Sequence, residues 1–253
     1  MCKYSWVWET YQKWTGIMKL EILYEDAYLI ACVKPYGVLS QGDKGNDEDM
    51  ITKVKHYLYD QDTSEQAEEP YVAAIHRLDR PVGGVMVFAK TPDMAAKLSD
   101  MQQDGEITKY YQAVITGELP DFEGEMVDYL LRDGKTNTTK VVKKGEKGAK
   151  RAELFYDVLD VMDTDDGTLS YVLIELGTGR HHQIRVQFAS RGCGIWGDTK
   201  YNPKFAKTKR KYKQIGLFSS RMEFTHPVTG EEIVIKKEPE GEAFEVLDLD
   251  EFE

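Results

Sequence analysis

Strand-length apolar segments separated by short polar turns run along nearly the whole chain, and this pattern restricts the fold more than any single motif does. The segments are rich in aliphatic and aromatic residues and are bounded by turn-forming residues, which is typical of β-strands. The predicted strands cover residues 21–26, 28–35, 71–75, 85–90, 109–119, 124–133, 151–163 and 169–176, and a closing hairpin covers 216–238. Because the connections are mostly of hairpin length and show no regular βαβ alternation, the pattern predicts the α+β class with a largely antiparallel sheet.

Helices are predicted at only a few places between these strands. Residues 49–61 carry apolar side chains at helical spacing, namely Met50, Ile51, Val54, Tyr57 and Leu58. A second helix is predicted to begin after Thr91, an N-cap residue followed by Pro92, and to end at Gly105. A third is predicted within residues 184–192. We therefore expect a few helices that flank one sheet.

Charge is distributed unevenly along the chain. The net charge is -11 at pH 7, and many acidic residues collect in residues 238–253. Residues 200–213, in contrast, contain no acidic residue. A further basic segment, residues 132–151, contains Arg132, Lys135, Lys140, Lys143, Lys144, Lys147, Lys150 and Arg151. Either segment alone is typical of a solvated loop, but two such segments with interleaved aromatic, Thr or Asn residues favour a polyanion as partner.

Cysteine usage and hydropathy limit the cellular setting. The three cysteines, Cys2, Cys32 and Cys193, are too widely spaced for a disulfide framework or a zinc knuckle. No apolar run approaches the roughly 20 residues of a membrane-spanning helix, and residues 1–17 lack the apolar centre of a secretion signal. These features predict a cytoplasmic protein without a membrane partner. We expect an N-terminal extension over residues 1–17, with Met18 as an alternative start, and one domain over residues 18–253.

A single carboxylate, Asp79, stands between Arg77 and Arg80 in the segment AAIHRLDRPVGGVMVFAK. Residues 81–84 (Pro-Val-Gly-Gly) favour an extended or turn conformation and permit close approach of backbone or ligand. The segment therefore predicts a strand, a turn and a second strand, with Asp79 held on the turn. Such turns are good places to present one reactive group.

Other kinds of site leave no recognisable pattern in the sequence. No Walker loop, dinucleotide fingerprint or G-x-S-x-G elbow is present. A metal site would need more carboxylates or histidines at ligand spacing, and the adjacent His181 and His182 are expected to diverge on a helix or strand. Asp79 is therefore predicted to be either a nucleophile or a member of a structural ion pair, and the residue pattern leaves both readings open.

Several motifs, in order, resemble those of the RluA family of RNA pseudouridine synthases. Residues 76–90, HRLDRPVGGVMVFAK, are similar to the family motif that contains its aspartate, which corresponds to Asp79. The similarity extends over nearly the whole chain from about residue 18, through residues 23–39, 109–119, 176–201 and 222–235. This resemblance implies the pseudouridine synthase fold, in which a mostly antiparallel central sheet is crossed by a cleft and flanked by a few helices and loops.

The resemblance also implies a reaction and its catalytic residues. The N-glycosidic bond of a uridine in RNA breaks, the uracil turns, and a carbon–carbon bond forms. Asp79 would be either a nucleophile that attacks the sugar or the uracil ring, or a carboxylate that stabilises the ion formed on cleavage. Arg185 would pair with Asp79 in a desolvated pocket. Tyr111 would stack on the uracil and transfer a proton, while Ile184 would line the apolar side of the pocket. No cofactor or metal is implied, because nothing is oxidised or reduced.

Further residues are assigned to RNA binding by the same resemblance. A stacked uridine must be flipped out to reach such a pocket, and Arg77 is expected to fill the space that it leaves. His76 and Lys34 are grouped with the RNA-binding residues. Arg180 is expected to contact a phosphate near the N-terminus of the predicted third helix.

The predicted partner is a structured rRNA or tRNA stem-loop, bound by a monomer whose basic segments, including Lys143 and Lys144, clamp the RNA backbone. Two alternatives remain open. A non-catalytic RNA-binding or ribosome-assembly factor with the same fold would need the basic segments but not Asp79. A hydrolase that releases uracil would need a second carboxylate, for which Glu175 and Asp198 are the candidates.

Overall fold

The computed structural model describes residues 20–42, 47–62, 68–164, 167–207 and 214–245. Within these ranges the strands form one eleven-stranded sheet. They are β1 (Ile22–Glu25), β2 (Leu29–Lys34), β3 (Ala73–Ala74), β4 (Gly83–Ala89), β5 (Thr108–Thr116), β6 (Glu123–Asp133), β7 (Thr138–Val142), β8 (Lys150–Thr164), β9 (Gly167–Leu176), β10 (Leu217–Thr225) and β11 (Glu232–Lys236). The helices are α1 (Met50–Gln61), α2 (Pro92–Asp104), α3 (Gln183–Ser190) and α4 (Glu242–Glu245).

The sheet is almost entirely antiparallel. Its strand order is β1-β2-β4-β10-β5-β9-β8-β6-β7, with β11 paired to β10 and β3 paired to β4. Among the described strands, only β4 and β10 pair in parallel. The predicted α+β class with a mostly antiparallel central sheet and few helices is confirmed.

The neighbouring strands β2 and β4 are buried on both faces of the sheet. Ile30, Cys32, Met86 and Phe88 point to the face covered by α1, whereas Leu29, Ala31, Val85 and Val87 point to the face covered by α2. Strands covered on both sides read as continuous apolar runs, and the sequences LIACV and VMVFA do so. These strands form the rigid support from which the candidate site is built.

The predicted capping signals of α2 are present in the structure, and α1 has an N-cap of the same kind, Asp49. The Asp49 side chain accepts a hydrogen bond from the backbone N–H of Thr52 at 2.8 Å, and the Thr91 hydroxyl accepts one from the N–H of Met94 at 3.2 Å. Gly105 ends α2 with φ +80°, in the left-handed region that glycine adopts at helix ends. The limits of both helices therefore follow from local sequence.

Two details of the strand prediction differ from the structure. The segment predicted as a strand at residues 71–75 pairs only over Ala73–Ala74, because the following residues turn towards Asp79. The basic segment, in which the sequence predicts no strand between residues 133 and 151, contains the strand β7. The predicted extension over residues 1–17 and part of the second basic segment, residues 208–213, lie outside the described residues.

Gly84 makes the parallel pairing of β4 with β10 possible. It has φ +119°, and a β-carbon at this position would lie 2.3 Å from the carbonyl oxygen of Ser219. Only glycine satisfies both the dihedral angle and the close approach. Because β4 directly follows the turn that carries Asp79, this contact sets the position of that turn relative to β10.

Candidate active site

Asp79 lies on a tight turn between β3 and β4. The backbone N–H of Val82 donates to the carbonyl oxygen of Asp79 at 2.9 Å, which closes a four-residue turn with Arg80 and Pro81 at its centre. The proline ring restricts its own φ angle and the conformation of Arg80. The predicted strand, turn and strand are therefore present, with Asp79 at the first position of the turn.

Lys34 holds this turn from inside the protein. Its side chain is fully buried, and its ammonium donates to the carbonyl oxygens of Val82, Pro35 and Arg80 at 2.7, 3.0 and 3.3 Å. Burial lowers the pKa of Lys34 to about 7, and the negative charge of Asp79 partly opposes this shift. The expectation that Lys34 contacts RNA is therefore wrong for this structure, because none of its surface is exposed and its donors bind backbone.

Gly37 and Ser40, which follow Lys34 in the chain, hold the Asp79 turn on its two sides. The buried hydroxyl of Ser40 exchanges two hydrogen bonds with the backbone of Leu78, at 2.8 and 2.9 Å. The N–H of Gly37 donates to the carbonyl oxygen of Arg80 at 2.8 Å, and Arg80 Nε returns a bond to the carbonyl oxygen of Gly37 at 2.9 Å. Leu78 and Arg80, the residues before and after Asp79, are thus both hydrogen-bonded to residues 37–40.

Arg185, on α3, joins two carboxylates. Its Nη1 donates to Asp79 Oδ2 at 2.8 Å, while Nε and Nη2 donate to the two oxygens of Asp198 at 2.7 and 2.8 Å. The side chains of Arg185 and Asp198 are 6% and 1% exposed, whereas that of Asp79 is 26% exposed. Burial alone would lower the pKa of Arg185, but its hydrogen bonds and the charges of Asp198 and Asp79 raise it above the ordinary value.

This geometry gives Asp198 a role that the sequence did not reveal. The bidentate bond to Asp198 fixes the guanidinium plane, so that one remaining N–H group points at Asp79. Asp198 Oδ1 also accepts from the backbone N–H groups of Lys200 and Tyr201, at 2.9 and 3.3 Å, as expected for a residue that braces the turn. Asp198 therefore links the turn at Lys200 and Tyr201 to Arg185, the partner of Asp79.

The two adjacent histidines do not diverge, contrary to the prediction. His182 has a left-handed backbone conformation with φ +52° and ψ +27°, and its ring stacks on that of His181 with a centroid distance of 3.7 Å. His182 Nε2 lies 3.5 Å from Asp79 Oδ2. The prediction assumed helical or extended backbone, and the positive φ angle turns both rings to the same side.

Tyr111 and Ile184 contribute buried surface to the same cleft. Tyr111, on β5, is 6% exposed, and Ile184, in the first turn of α3, is 5% exposed. Burial and then the negative charge of Asp79 raise the pKa of Tyr111 well above its ordinary value, so its phenol is protonated at neutral pH. Lys109, two residues earlier on β5, also lines the cleft, and burial lowers its pKa to about 8.

The cleft has a volume of about 920 Å³ and a basic lining, although the whole chain is acidic. Asp79 and Asp198 are the acidic residues that line it. Its Lys and Arg residues are Arg77, Arg80, Lys109, Arg132, Arg180, Arg185 and Lys200. An excess of positive charge in a concave surface attracts a polyanion, whatever the net charge of the molecule.

The structure brings Arg77, His76 and Arg180 to the rim and wall of this cleft. Arg77 is exposed, and none of the side-chain hydrogen bonds or ion pairs among the described residues involves it. Burial and then the charge of Lys109 lower the pKa of His76 to about 3, so its ring is neutral. Arg180 precedes α3 by three residues, and its Nε donates to the carbonyl oxygen of Arg151 at 3.0 Å.

Lys143 and Lys144 are exposed in the turn between β7 and β8 and do not line the cleft. The second carboxylate that a hydrolase would need is also missing from the described part of the cleft. Both oxygens of Asp198 bind Arg185, and Glu175, on β9, is not among the cleft residues. These positions disfavour the hydrolase alternative.

No helix among the described residues is long and apolar enough to cross a membrane. The same residues contain no group of three or more His, Cys, Asp or Glu side chains that would hold a metal ion.

Comparisons with known proteins point in one direction. The family model described as RNA pseudouridylate synthase matches residues 28–190, which include Asp79, Tyr111 and Arg185. The chain is 32% identical over 234 residues to tRNA pseudouridine synthase C of Vibrio vulnificus (strain CMCP6), covering 87% of this chain and 90% of that protein. It is 29% identical to ribosomal large subunit pseudouridine synthase D of Vibrio cholerae, covering 89% of this chain and 69% of that protein.

Solved structures show the same fold. Human RNA Pseudouridylate Synthase Domain Containing 4 superposes with a TM-score of 0.71 at 23% identity, covering 90% of this chain and 92% of that chain. Human RNA Pseudouridylate Synthase Domain Containing 1 gives a TM-score of 0.70 at 19% identity, covering 87% and 84% of the two chains. At these identities the likeness concerns the fold alone.

Proposed function

The chain belongs to the RNA pseudouridylate synthase family, whose enzymes convert uridine in RNA to pseudouridine, and we propose that Asp79 starts this isomerisation in the basic cleft. The reaction breaks the bond between N1 of uracil and C1′ of ribose and forms a bond between C5 and C1′. The C5 hydrogen is lost as a proton and N1 gains one, so no redox partner is required. The enzyme must supply a nucleophile, hold the detached uracil and move these protons.

The observation that supports Asp79 most directly is the unequal use of its two oxygens. Oδ2 accepts a hydrogen bond from Arg185 and faces His182. None of the side-chain hydrogen bonds among the described residues uses Oδ1, and the side chain retains 26% exposure towards solvent. We propose that Oδ1 is the reacting oxygen, whether it attacks the sugar or the uracil ring.

Arg185 and Tyr111 complete the proposed catalytic set. The guanidinium neutralises the carboxylate, and Asp198 prevents it from rotating away. Tyr111 presents a buried aromatic ring for stacking on the uracil. The phenol of Tyr111 is protonated at neutral pH. The Tyr111 hydroxyl can therefore accept a proton from the substrate only if it gives up its own proton to another group. Ile184 supplies apolar wall that excludes water.

The cleft also offers groups for an extruded nucleotide and for phosphates. Flipping a base out of its stack costs a few kcal/mol, and the exposed Arg77 is positioned to occupy the vacated space.

His76 Nε2 accepts from the backbone N–H of Val87 at 3.4 Å, which leaves its proton on Nδ1. Nδ1 is buried without a partner among the described residues, and we propose that His76 supports the loop that carries Arg77 from inside the cleft wall. Arg180 and the exposed Lys143 and Lys144 are proposed to contact phosphates.

We further propose a tRNA as the substrate. The tRNA pseudouridine synthase C of Vibrio vulnificus is matched over 90% of its length, whereas the ribosomal enzyme of Vibrio cholerae is matched over 69%. This chain therefore corresponds to nearly the whole of an enzyme named for tRNA, and this correspondence supports tRNA as the proposed substrate. We also propose that the protein acts as a monomer in the cytoplasm.

The experiment that tests the substrate is pseudouridine mapping across all stable RNAs from strains with and without the gene. We expect one or a few pseudouridines to disappear from tRNA in the deletion strain. They should return when the wild-type gene is restored but not when the Asp79→Asn variant is restored. Loss confined to rRNA would overturn the tRNA proposal, and restoration by Asp79→Asn would overturn the role of Asp79.

A further inference from the structure

The buried His182 and the half-buried Tyr201 form a pair beside Asp79 that the proposed chemistry does not use. His182 is 9% exposed, and its Nδ1 lies 2.6 Å from the hydroxyl of Tyr201. Its φ angle of +52° is in the left-handed region, which is costly for a residue with a β-carbon. Backbone strain held in a cleft points to a constraint on where the side chain must lie.

The hydrogen bonds around Tyr201 favour one position for the proton of His182. The Tyr201 hydroxyl accepts from the backbone N–H of Thr139 at 2.8 Å, so its own hydrogen is available for His182 Nδ1. Burial lowers the pKa of His182 to about 3, against the opposing effect of Asp79, and its imidazole is therefore neutral. A neutral imidazole whose Nδ1 accepts must carry its proton on Nε2.

That proton faces the catalytic aspartate. His182 Nε2 is 3.5 Å from Asp79 Oδ2, the oxygen that Arg185 also binds. The distance exceeds that of an ordinary hydrogen bond, so in this structure the N–H group acts on the carboxylate as a nearby dipole. Arg185 donates to Oδ2 and His182 Nε2 lies beside the same oxygen, which leaves Oδ1 as the oxygen that meets the substrate.

We propose that His182 is a positioning residue for Asp79, and that Tyr201 sets the tautomer that makes it effective. The proposal rests on the role proposed for Asp79 and extends it. It also connects the cleft to the β6–β7 hairpin, because Thr139 at the base of β7 supplies the N–H that orients the Tyr201 hydroxyl. His181 reinforces this connection, since its Nδ1 lies 2.7 Å from Thr139 Oγ1 and its ring stacks on His182.

A matched pair of substitutions separates this role from a purely structural one. His182→Gln places an amide N–H near the position of Nε2, whereas the side chain of His182→Asn is one methylene too short to reach it. Asn is the residue that better tolerates the left-handed conformation. If the backbone alone mattered, Asn would therefore serve at least as well as Gln.

The assay is pseudouridine formation on total tRNA from a strain lacking the gene. We expect His182→Gln to keep kcat within about threefold of wild type, and His182→Asn to lower kcat about tenfold or more with little change in KM. Equal activity of the Gln and Asn variants, or a higher activity of Asn, would overturn the proposal. Loss in both variants together with an unchanged activity of Asp79→Asn would instead show that the role of Asp79 is wrong.

Tyr201→Phe tests the tautomer. Phe keeps the ring whose centroid lies 5.1 Å from Arg185 Cζ and removes only the hydroxyl, so we expect kcat to fall several-fold at constant KM. Tyr171→Phe is the control, because it removes a hydroxyl bound to Gln112 at 2.5 Å outside the cleft, and its kcat should equal that of wild type. A fall of kcat in both variants, or in neither, would contradict the role of Tyr201.

Nitrogen-15 NMR of labelled histidine reads the tautomer in the wild-type protein without requiring any variant to fold. We expect the proton of His182 on Nε2 in wild type, and a mixture of both tautomers in Tyr201→Phe. A proton found on Nδ1 in wild type would overturn the proposal, whatever the kinetics show.

Discussion

At the residue scale, Lys34 illustrates how a buried charge can organise a site without touching the substrate. Its ammonium binds backbone carbonyl oxygens on the turn that follows Asp79, and its side chain has no exposed surface. These bonds keep Arg80 and Val82 in place, but the lowered pKa means that burying the charged ammonium costs more free energy than its partners return. The stability of the turn should therefore depend on the protonation of Lys34.

The stability of the wild-type protein should rise from about pH 7 to about pH 10 through Lys34. The pKa of Lys34 is about 7 in the folded protein and 10.5 as the ordinary value. Between these values the unfolded chain binds the extra proton, and stability increases with pH wherever the unfolded state binds more protons. Relative to Lys34→Met, the free energy of unfolding should rise by up to about 4 kcal/mol over this interval.

Urea denaturation at several pH values checks this expectation. Lys109→Met is the matched control, because burial lowers the pKa of Lys109 to about 8, so the corresponding rise for this residue should begin at higher pH. A difference between wild type and Lys34→Met that stays constant or falls with pH would contradict the account of Lys34.

The sequence could not predict the roles of Lys34 and His182, for physical reasons that differ. Lys34 follows an apolar strand and looks like a strand-end charge, and its partners Arg80 and Val82 lie 46 and 48 residues further along the chain. His182 owes its position to a positive φ angle, which no local pattern predicts for a histidine. By contrast, the motif order was sufficient to predict that Asp79, Tyr111 and Arg185 share one cleft.

At the scale of elements, the position of Asp79 depends on the register between β4 and β10. Ser219 pairs with Gly84 in parallel and with Tyr111 in antiparallel. The same residue of β10 therefore lies between the strand that follows Asp79 and the strand that carries Tyr111. A shift in this register would separate the two proposed catalytic residues.

Gly84→Ala should disturb this register, and Gly105→Ala should not. Both glycines have positive φ angles, but a β-carbon on Gly84 meets Ser219 O at 2.3 Å, whereas one on Gly105 has nothing within 4 Å. We expect Gly84→Ala to lower the free energy of unfolding by about 3 kcal/mol or more and to reduce kcat. Gly105→Ala should cost about 1 kcal/mol and leave kcat unchanged.

Chemical denaturation together with steady-state kinetics measures both effects. Equal destabilisation by the two substitutions would show that the dihedral angle, and not the contact with Ser219, is what Gly84 provides.

Most elements were predictable because their signals are local. The caps of α1 and α2 and the continuous apolar runs of β2 and β4 lie in adjacent residues. The strand β7 was missed because its residues, TTKVV, lie inside a basic segment that reads as a loop. Its pairing with β6 supplies the order that the local sequence does not show.

At the scale of the whole molecule, charge is separated between an acidic chain and a basic cleft. The net charge is -11, yet the lining of the cleft contains more Lys and Arg than Asp. Lys143 and Lys144 are exposed in the turn between β7 and β8, outside this cleft. We therefore expect RNA to be attracted to the basic cleft and the basic segments only, and we expect this attraction to weaken as salt is added.

Replacing Lys143 and Lys144 together by Gln should weaken RNA binding without slowing the chemistry. At low salt we expect KM for tRNA to rise several-fold with kcat unchanged, and the slope of log KM against log salt to become shallower by about 1 to 2. Kinetics between about 50 and 200 mM salt provide the measurement.

The control replaces Lys55 and Lys97 by Gln, since these lysines lie on α1 and α2 and do not line the cleft. It removes the same charge from the molecule and should leave the slope unchanged. Equal effects in both double variants would mean that the net charge of the molecule, and not the position of Lys143 and Lys144, attracts the RNA.

The central claim is that Asp79, held by Arg185 at the wall of a basic cleft, breaks the glycosidic bond of uridine. The most direct test is single-turnover release of tritium from tRNA labelled at C5 of uridine, because formation of the bond between C5 and C1′ expels that hydrogen. For Asp79→Asn we predict binding of the RNA within a few-fold of wild type and no detectable release of tritium. Release by Asp79→Asn at a rate within about tenfold of wild type, a barrier difference of only about 1.4 kcal/mol, would contradict the claim.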